Sequence, residues 1–224
     1  MTEQESGNRD FPLWLIGDSN PSSWQSEPAL PLDPRRRTRH SIWTPILDVI
    51  QDRVYRSAGL RLDTTAVYVR NALQDKASKP LQMNREWGPA VDEAVLNLRK
   101  LIDQHRPVML FCFGAFAFEF ARRAVGERET HNWGYWGARR LGAEFRERVT
   151  NFEPGGVNTF PLLHRVISGS KYMESHEHFC GQKGADYYEL VGSALAETML
   201  QYRLPLPIWI DLEGLRQSAN AGVA

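Results

Sequence analysis

The feature that most constrains this chain is an alternation of period. Short apolar runs rich in β-branched and aromatic residues take turns with longer segments whose apolar residues recur at helical spacing. The first run, Phe11-Pro12-Leu13-Trp14-Leu15-Ile16, stops at Gly17. His40 to Ala58 follows, with Ile42, Trp43, Ile46, Leu47, Ile50 and Val54 on one helical face and Gly59 as its stop. Thr65-Ala66-Val67-Tyr68-Val69-Arg70 is a second strand pattern. Pro89 opens a helix whose face carries Val91, Val95, Leu98, Leu101 and Ile102. Val108 to Phe113 is a third strand, and Gly114 turns it into a helix over Ala115–Ala124. Val157 to Leu163 is a fourth strand. Its Pro161 lacks a backbone donor and so predicts an edge position or a local break. Ala185 to Tyr202 is the last helix.

Strands that alternate with helices predict a three-layer α/β/α sandwich with a short, mainly parallel four-stranded sheet and right-handed crossovers. One domain over 11–210 accommodates these elements. Residues 1–10 are expected as a disordered polar tail, and residues 211–224 as a loose one. Residues 126–156 show no clean period. Trp133, Tyr135 and Trp136 among glycines there suggest an insertion packed on the body.

Composition narrows the function. Over 224 residues, 27 basic side chains balance 27 acidic ones, which argues against a general nucleic-acid coat but leaves room for a local basic groove. The two cysteines support neither a disulfide framework nor a four-thiolate cluster, and Cys112, inside Leu110-Phe111-Cys112-Phe113, is expected as a buried free thiol. The N-terminus has no signal-peptide core, and no apolar stretch approaches the ~20 residues of a membrane span. A cytoplasmic protein is the expectation. No phosphate-cradling G-x-x-x-x-G-K-[ST], dinucleotide G-x-G-x-x-G or nucleophile-elbow G-x-S-x-G occurs. His176, His178 and Cys180 lack the spacing of a zinc helix, so no metal and no cofactor are expected.

Ligands of open parallel sheets bind outside the carboxyl ends of the strands. Three such ends carry polar groups. The first is Gly17-Asp18-Ser19-Asn20-Pro21-Ser22-Ser23-Trp24, the second is Asn71, and the third runs from His164 to Tyr172. Each also has a plainer reading, as a turn, a cap or a hydrogen-bonded structural histidine. Together they supply an acid or amide, an amide and an imidazole on one rim, a set suited to a polar ring and a leaving anion.

These segments resemble those of the uracil-DNA glycosylase superfamily, over most of 11–203. Leu15-Ile16-Gly17-Asp18-Ser19-Asn20-Pro21 is similar to the family's first motif, Tyr68 to Leu73 to the segment that ends in the base-reading Asn, and Pro107 through Phe113-Gly114-Ala115-Phe116-Ala117 to its third-strand run. Leu162-Leu163-His164 with Ser168-Gly169-Ser170-Lys171-Tyr172 resembles the last motif, although the family reads His-Pro-Ser where this chain has His164-Arg165-Val166. The resemblance implies a cofactor-free glycosylase that flips a base out of DNA. Asn20 or Asp18 would position water, Asn71 would read the base, and His164 would stabilise the departing anion. Gly17 and Pro21 would shape the base pocket, with Trp24 or Trp43 stacking on the base. Arg165, Ser168, Ser170, Lys171 and Tyr172 would meet the DNA. Arg35, Arg36, Arg37 and Arg39 would either contact phosphates or form a solvated loop. A monomer acting on single- or double-stranded DNA follows. The alternative is a non-catalytic member of the fold that binds nucleic acid or a nucleobase-like ligand.

Overall fold

The computed structural model describes residues 5–19, 30–32, 37–73, 79, 87–164 and 170–210, with the backbone alone for 37, 38 and 170–172. Among these residues five strands and seven helices follow in the order β1 (Glu5–Ser6), β2 (Leu13–Gly17), α1 (Arg37–Ile42), α2 (Thr44–Ala58), β3 (Tyr68–Asn71), α3 (Pro89–His105), β4 (Met109–Phe113), α4 (Ala115–Val125), α5 (Ala138–Thr150), β5 (Asn158–Leu162), α6 (Ser170–Cys180) and α7 (Tyr187–Gln201). A 3-10 turn, Trp133–Tyr135, precedes α5. Helices cover both faces of one sheet, and the molecule is a three-layer α/β/α sandwich.

The sheet order is β1-β3-β2-β4-β5. β3, β2, β4 and β5 are mutually parallel, in the registers Gly17↔Asn71, Leu15↔Phe111 and Phe113↔Leu162. The inner strands β2 and β4 are buried at every position, as continuous apolar runs in a covered parallel sheet must be. β5 is an edge strand, where Pro161 loses no ladder bond, and α5 lies along it so that Phe145 meets Phe160 at 6.4 Å.

Alternate side chains assign the faces. Trp43 packs edge-on to Phe111 and Phe113, at 5.9 and 6.3 Å, on the face that α2 covers. On that face Phe160, Phe145, Phe179 and Tyr187 form an aromatic chain leading through α5 and α6 to α7. Gly192 of α7 lets that helix close on Val49 of α2, since a Cβ there would stand 2.5 Å from the valine Cβ. On the opposite face Trp14 contacts Tyr68 at 4.6 Å and His105 of α3 at 6.3 Å.

Several expectations change. The sheet has a fifth strand, because Glu5–Ser6, expected as disordered tail, pairs antiparallel with β3. A two-residue polar strand carries no hydrophobic pattern. It is held by backbone pairing and by the ion pair of Glu5 with Arg9, with Arg70 also nearby at 4.0 Å. The helix expected from His40 starts at Arg37 and breaks at Trp43. Residues 126–156, unread in the sequence, contain α5. Ser170, Lys171 and Tyr172, expected in a loop, form the first turn of α6, whose His176 and Phe179 share the buried face. Cys112 is a buried free thiol, with burial pushing its pKa up. Among the described residues no helix is long and apolar enough to cross a membrane.

Candidate functional site

A cavity of about 310 Å3 opens where β2, β4 and β5 end. That lies at the lower end of the ~300–1,000 Å3 common for small-molecule sites. Three strand ends build its floor. Asp18 follows β2, Gly114, Ala115 and Phe116 carry β4 into α4, and Leu163 and His164 follow β5. Trp133, Trp136 and the start of α5 form one wall, and Ser175 of α6 adds a hydroxyl.

The floor is tight because small residues stand where chains meet. The Gly114 amide donates to Leu162 O at 2.7 Å, continuing the β4–β5 ladder past the strands. Gly114 has φ +93°, and a Cβ there would stand 2.9 Å from His164 Cβ. Its backbone therefore sets how closely the imidazole approaches the α4 N-terminus. The Leu163 amide donates to the hydroxyl of buried Tyr187 at 2.8 Å, anchoring the residue before His164 to α7. Gly17 does the same for the neighbouring strand. Its missing Cβ would lie 2.3 Å from Asn71 Oδ1, so the amide packs against the Gly17–Asp18 turn.

Asp18 accepts from Ser19 Oγ at 3.2 Å and is ion-paired with Lys79. The Lys79 ammonium also sits 4.9 Å from the Phe116 ring centre and 4.6 Å from that of Trp133. It is held by one carboxylate and two aromatic faces. Burial lowers the pKa of His164, the Asp18 charge opposes this and the Lys79 charge adds to it, and the net shift is downward. The imidazole is thus neutral at neutral pH and can donate one hydrogen bond.

A buried carboxylate shapes the aromatic wall. Glu119, on α4, has no solvent exposure. It accepts from Arg122 Nη1 (3.0 Å), Arg123 Nε (3.0 Å), the His131 amide (2.8 Å) and Trp136 Nε1 (2.8 Å). Those last two bonds fix the segment that lines the cavity. The Trp133 indole N–H, by contrast, is buried without an acceptor among the described residues.

The expected site residues are only partly brought together. Asp18 and His164 share the cavity. Gly17 and Asn71 adjoin Asp18 at the ends of paired strands, with Asn71 8% exposed and outside the lining residues. Trp43 is buried in the core and outside the cavity lining, which removes it as a stacking residue; half-buried Trp133 supplies an aromatic face instead, while Phe116, equally buried, only backs the lining. Arg39 donates to Leu32 O at 3.2 Å. Asn20, Pro21, Trp24, Arg35, Arg36, Arg165 and Ser168 lie outside the described residues, as do the side chains of Arg37, Ser170, Lys171 and Tyr172. Sequence reasoning missed Lys79, which carries no local signal, and Glu119. The latter had one: an acid in the apolar helix Ala115–Ala121, with arginines three and four residues on.

No protein-family model matches the chain, and no curated protein shows significant similarity to it. The fold and the site define an α/β/α protein with a ligand-sized, aromatic-walled cavity at the carboxyl edge of its parallel sheet.

Proposed function

We propose that this protein hydrolyses the N-glycosidic bond of uracil or a related base in DNA, as its likeness to the uracil-DNA glycosylases implies. The observation that carries the reading is that Asp18 and His164, from separate strand ends, line one cavity with a stacking face beside them. A base flipped from the helix would stack on Trp133. Asp18 would orient the attacking water and stabilise positive charge at the sugar. As the C1′–N bond breaks, its electron pair leaves with the base. Neutral His164 would donate a hydrogen bond to that anion. Water adds to C1′, and its proton passes to Asp18 and on to solvent or the base. The protein would act in this way as a monomer inside the cell, in base-excision repair.

The test is cleavage of labelled uracil-containing oligonucleotides, single- and double-stranded, with alkali to break abasic sites. Wild type should cleave. His164→Ala should lose about 10²–10³ in rate, the scale of one oxyanion donor. Asp18→Asn and Asn20→Ala decide which of the two orients water, because the stronger loss marks it. An inert wild type, also inert on deaminated and oxidised bases, sinks the reading.

One observation favours the second reading, a non-catalytic nucleobase binder. Lys79 engages an Asp18 carboxylate oxygen, so that oxygen is occupied where an attacking water would have to be held.

A further inference from the structure

The rim of the cavity carries an arginine that the fold seats without neutralising. Gly134, Trp136, Gly137, Ala138 and Leu141 line the cavity, and Arg140 stands in the chain between the last two. Its Nη1 donates to Tyr135 O at 2.9 Å, which places the guanidinium against the backbone between Gly134 and Trp136. The guanidinium carbon is 4.0 Å from the Tyr135 ring centre. That ring is itself fixed, parallel to His131 at 4.0 Å and edge-on to Trp136 at 5.0 Å. Arg140 is exposed, and its Nε and Nη2 have no acceptor among the described residues. The later arginines of α5 are committed, Arg146 to Phe179 O and Arg148 to Glu127 and Glu144. Arg139 and Arg140 meet no carboxylate among the described residues, and the first turn of α5 contains no acid. Cations in a first turn oppose the helix macrodipole, so local stability alone would place acids at 139 and 140.

We propose that Arg140 is a backbone-phosphate contact that seats a DNA strand at the mouth of the cavity. This rests on reading the cavity as a base pocket. It goes beyond that reading in naming the side chain that holds the strand while one base is inside. A nucleotide joins an anionic phosphate to a flat ring through a sugar. The rim offers a forked cation and, beside it, a cavity lined by Trp133. Nε and Nη2 form the two-pronged donor that matches two phosphate oxygens. The Tyr135 carbonyl and ring already hold the guanidinium, so little side-chain freedom is lost on binding. Exposed Arg139 adds charge to the same turn without such a seat. A phosphate contact fixes the strand's position and carries no base preference, which leaves the choice of base to the cavity.

Anisotropy titrations of the full chain with a labelled single-stranded, uracil-containing oligonucleotide, repeated over a range of salt, test this. Arg106→Gln is the charge-matched control, because Arg106 is exposed at the end of α3, just before β4 and so at the opposite edge of the sheet. Arg140→Gln should weaken binding about tenfold at low salt, the scale of one charge-assisted hydrogen bond. It should also reduce the slope of log affinity against log salt by about 0.7, the share of one phosphate on a single strand. Arg140→Lys should keep that slope, since it keeps the charge. Arg106→Gln should alter neither quantity. Where cleavage is measured, Arg140→Gln should raise KM and leave kcat in place. An unchanged slope in Arg140→Gln, an equal loss in Arg106→Gln, or a wild type that does not bind the oligonucleotide would each overturn the inference. So would polyglutamate bound as tightly and with the same dependence on Arg140, which would make the rim a general anion surface. A reduced slope in Arg140→Gln without cleavage by wild type supports the contact and retires the hydrolase. Cleavage with an unchanged slope does the reverse.

Discussion

Gly114 is where backbone conformation and site geometry meet in one residue. At φ +93° an L side chain is strained, and a Cβ would also press on His164 Cβ at 2.9 Å. Gly114→Ala should lower stability by about 1–3 kcal/mol, read as a fall in the urea midpoint, and shift the His164 ring resonances. Unchanged values would mean that the strand end relaxes freely. Gly17→Ala should behave differently. Its Cβ meets the Asn71 amide at 2.3 Å, a side-chain tip and not backbone, so the cost falls on the orientation of Asn71. Nuclear magnetic resonance of the Asn71 side-chain amide should report the displacement. At this scale the sequence was informative where polar residues follow strands: Asp18 and His164, read from strand ends, line one cavity, whereas Asn71 ends β3 outside its lining. Lys79 was not legible, because its role comes from the rings and carboxylate that folding brings around it. Trp43 misled for the converse reason, since an aromatic beside a helix start reads alike whether it faces ligand or core.

Strands and helices with a strong period were legible to within a few residues, and of the two readings of Pro161, an edge position or a local break, the sheet order selects the edge. The elements that escaped have a different source of order. β1 rests on backbone pairing and ion pairs. The segment from His131 to α5 is organised by Glu119, whose four bonds link α4 to the aromatic wall. Glu119→Ala should therefore cost about 3–5 kcal/mol, because it leaves the His131 amide and the Trp136 indole N–H without their acceptor and takes a buried partner from Arg122 and Arg123, which keep only Glu127 and the His131 carbonyl. Tryptophan emission should shift to the red as Trp136 loosens, and a variant with wild-type stability and emission would show that the wall holds itself. α5 offers an independent check. A Cβ on Gly142 would lie 1.9 Å from the Phe179 carbonyl oxygen of α6, so Gly142→Ala must push the two helices apart. Its destabilisation, about 1–3 kcal/mol by analogy with other overpacked interiors, should appear without loss of the Glu119 network.

For the molecule as a whole, two imidazoles, half-buried His164 and buried His176, set the acid edge of stability. Burial lowers the pKa of His164, with Asp18 opposing and Lys79 reinforcing, and burial lowers that of His176 against the opposing charge of Asp186. Both start from 6.5 in the unfolded chain. As pH falls, the unfolded chain takes up these protons first, so folding loses ground. Stability is level above the ordinary histidine range, falls as pH passes below 6.5, and stops falling on their account once pH is below the lowered folded values. The carboxylates of Glu5, Asp63 and Glu189 are held below their usual 4.5, 3.8 and 4.5, so their contribution is present above those values and fades only at lower pH. The two steps are thus separable. Urea midpoints taken from neutral pH to about pH 5 isolate the histidine step. His164→Gln with His176→Gln should flatten that interval while leaving the lower carboxylate step in place. A wild-type midpoint already flat across it would mean that the two rings take up protons in the folded state as readily as in the unfolded one.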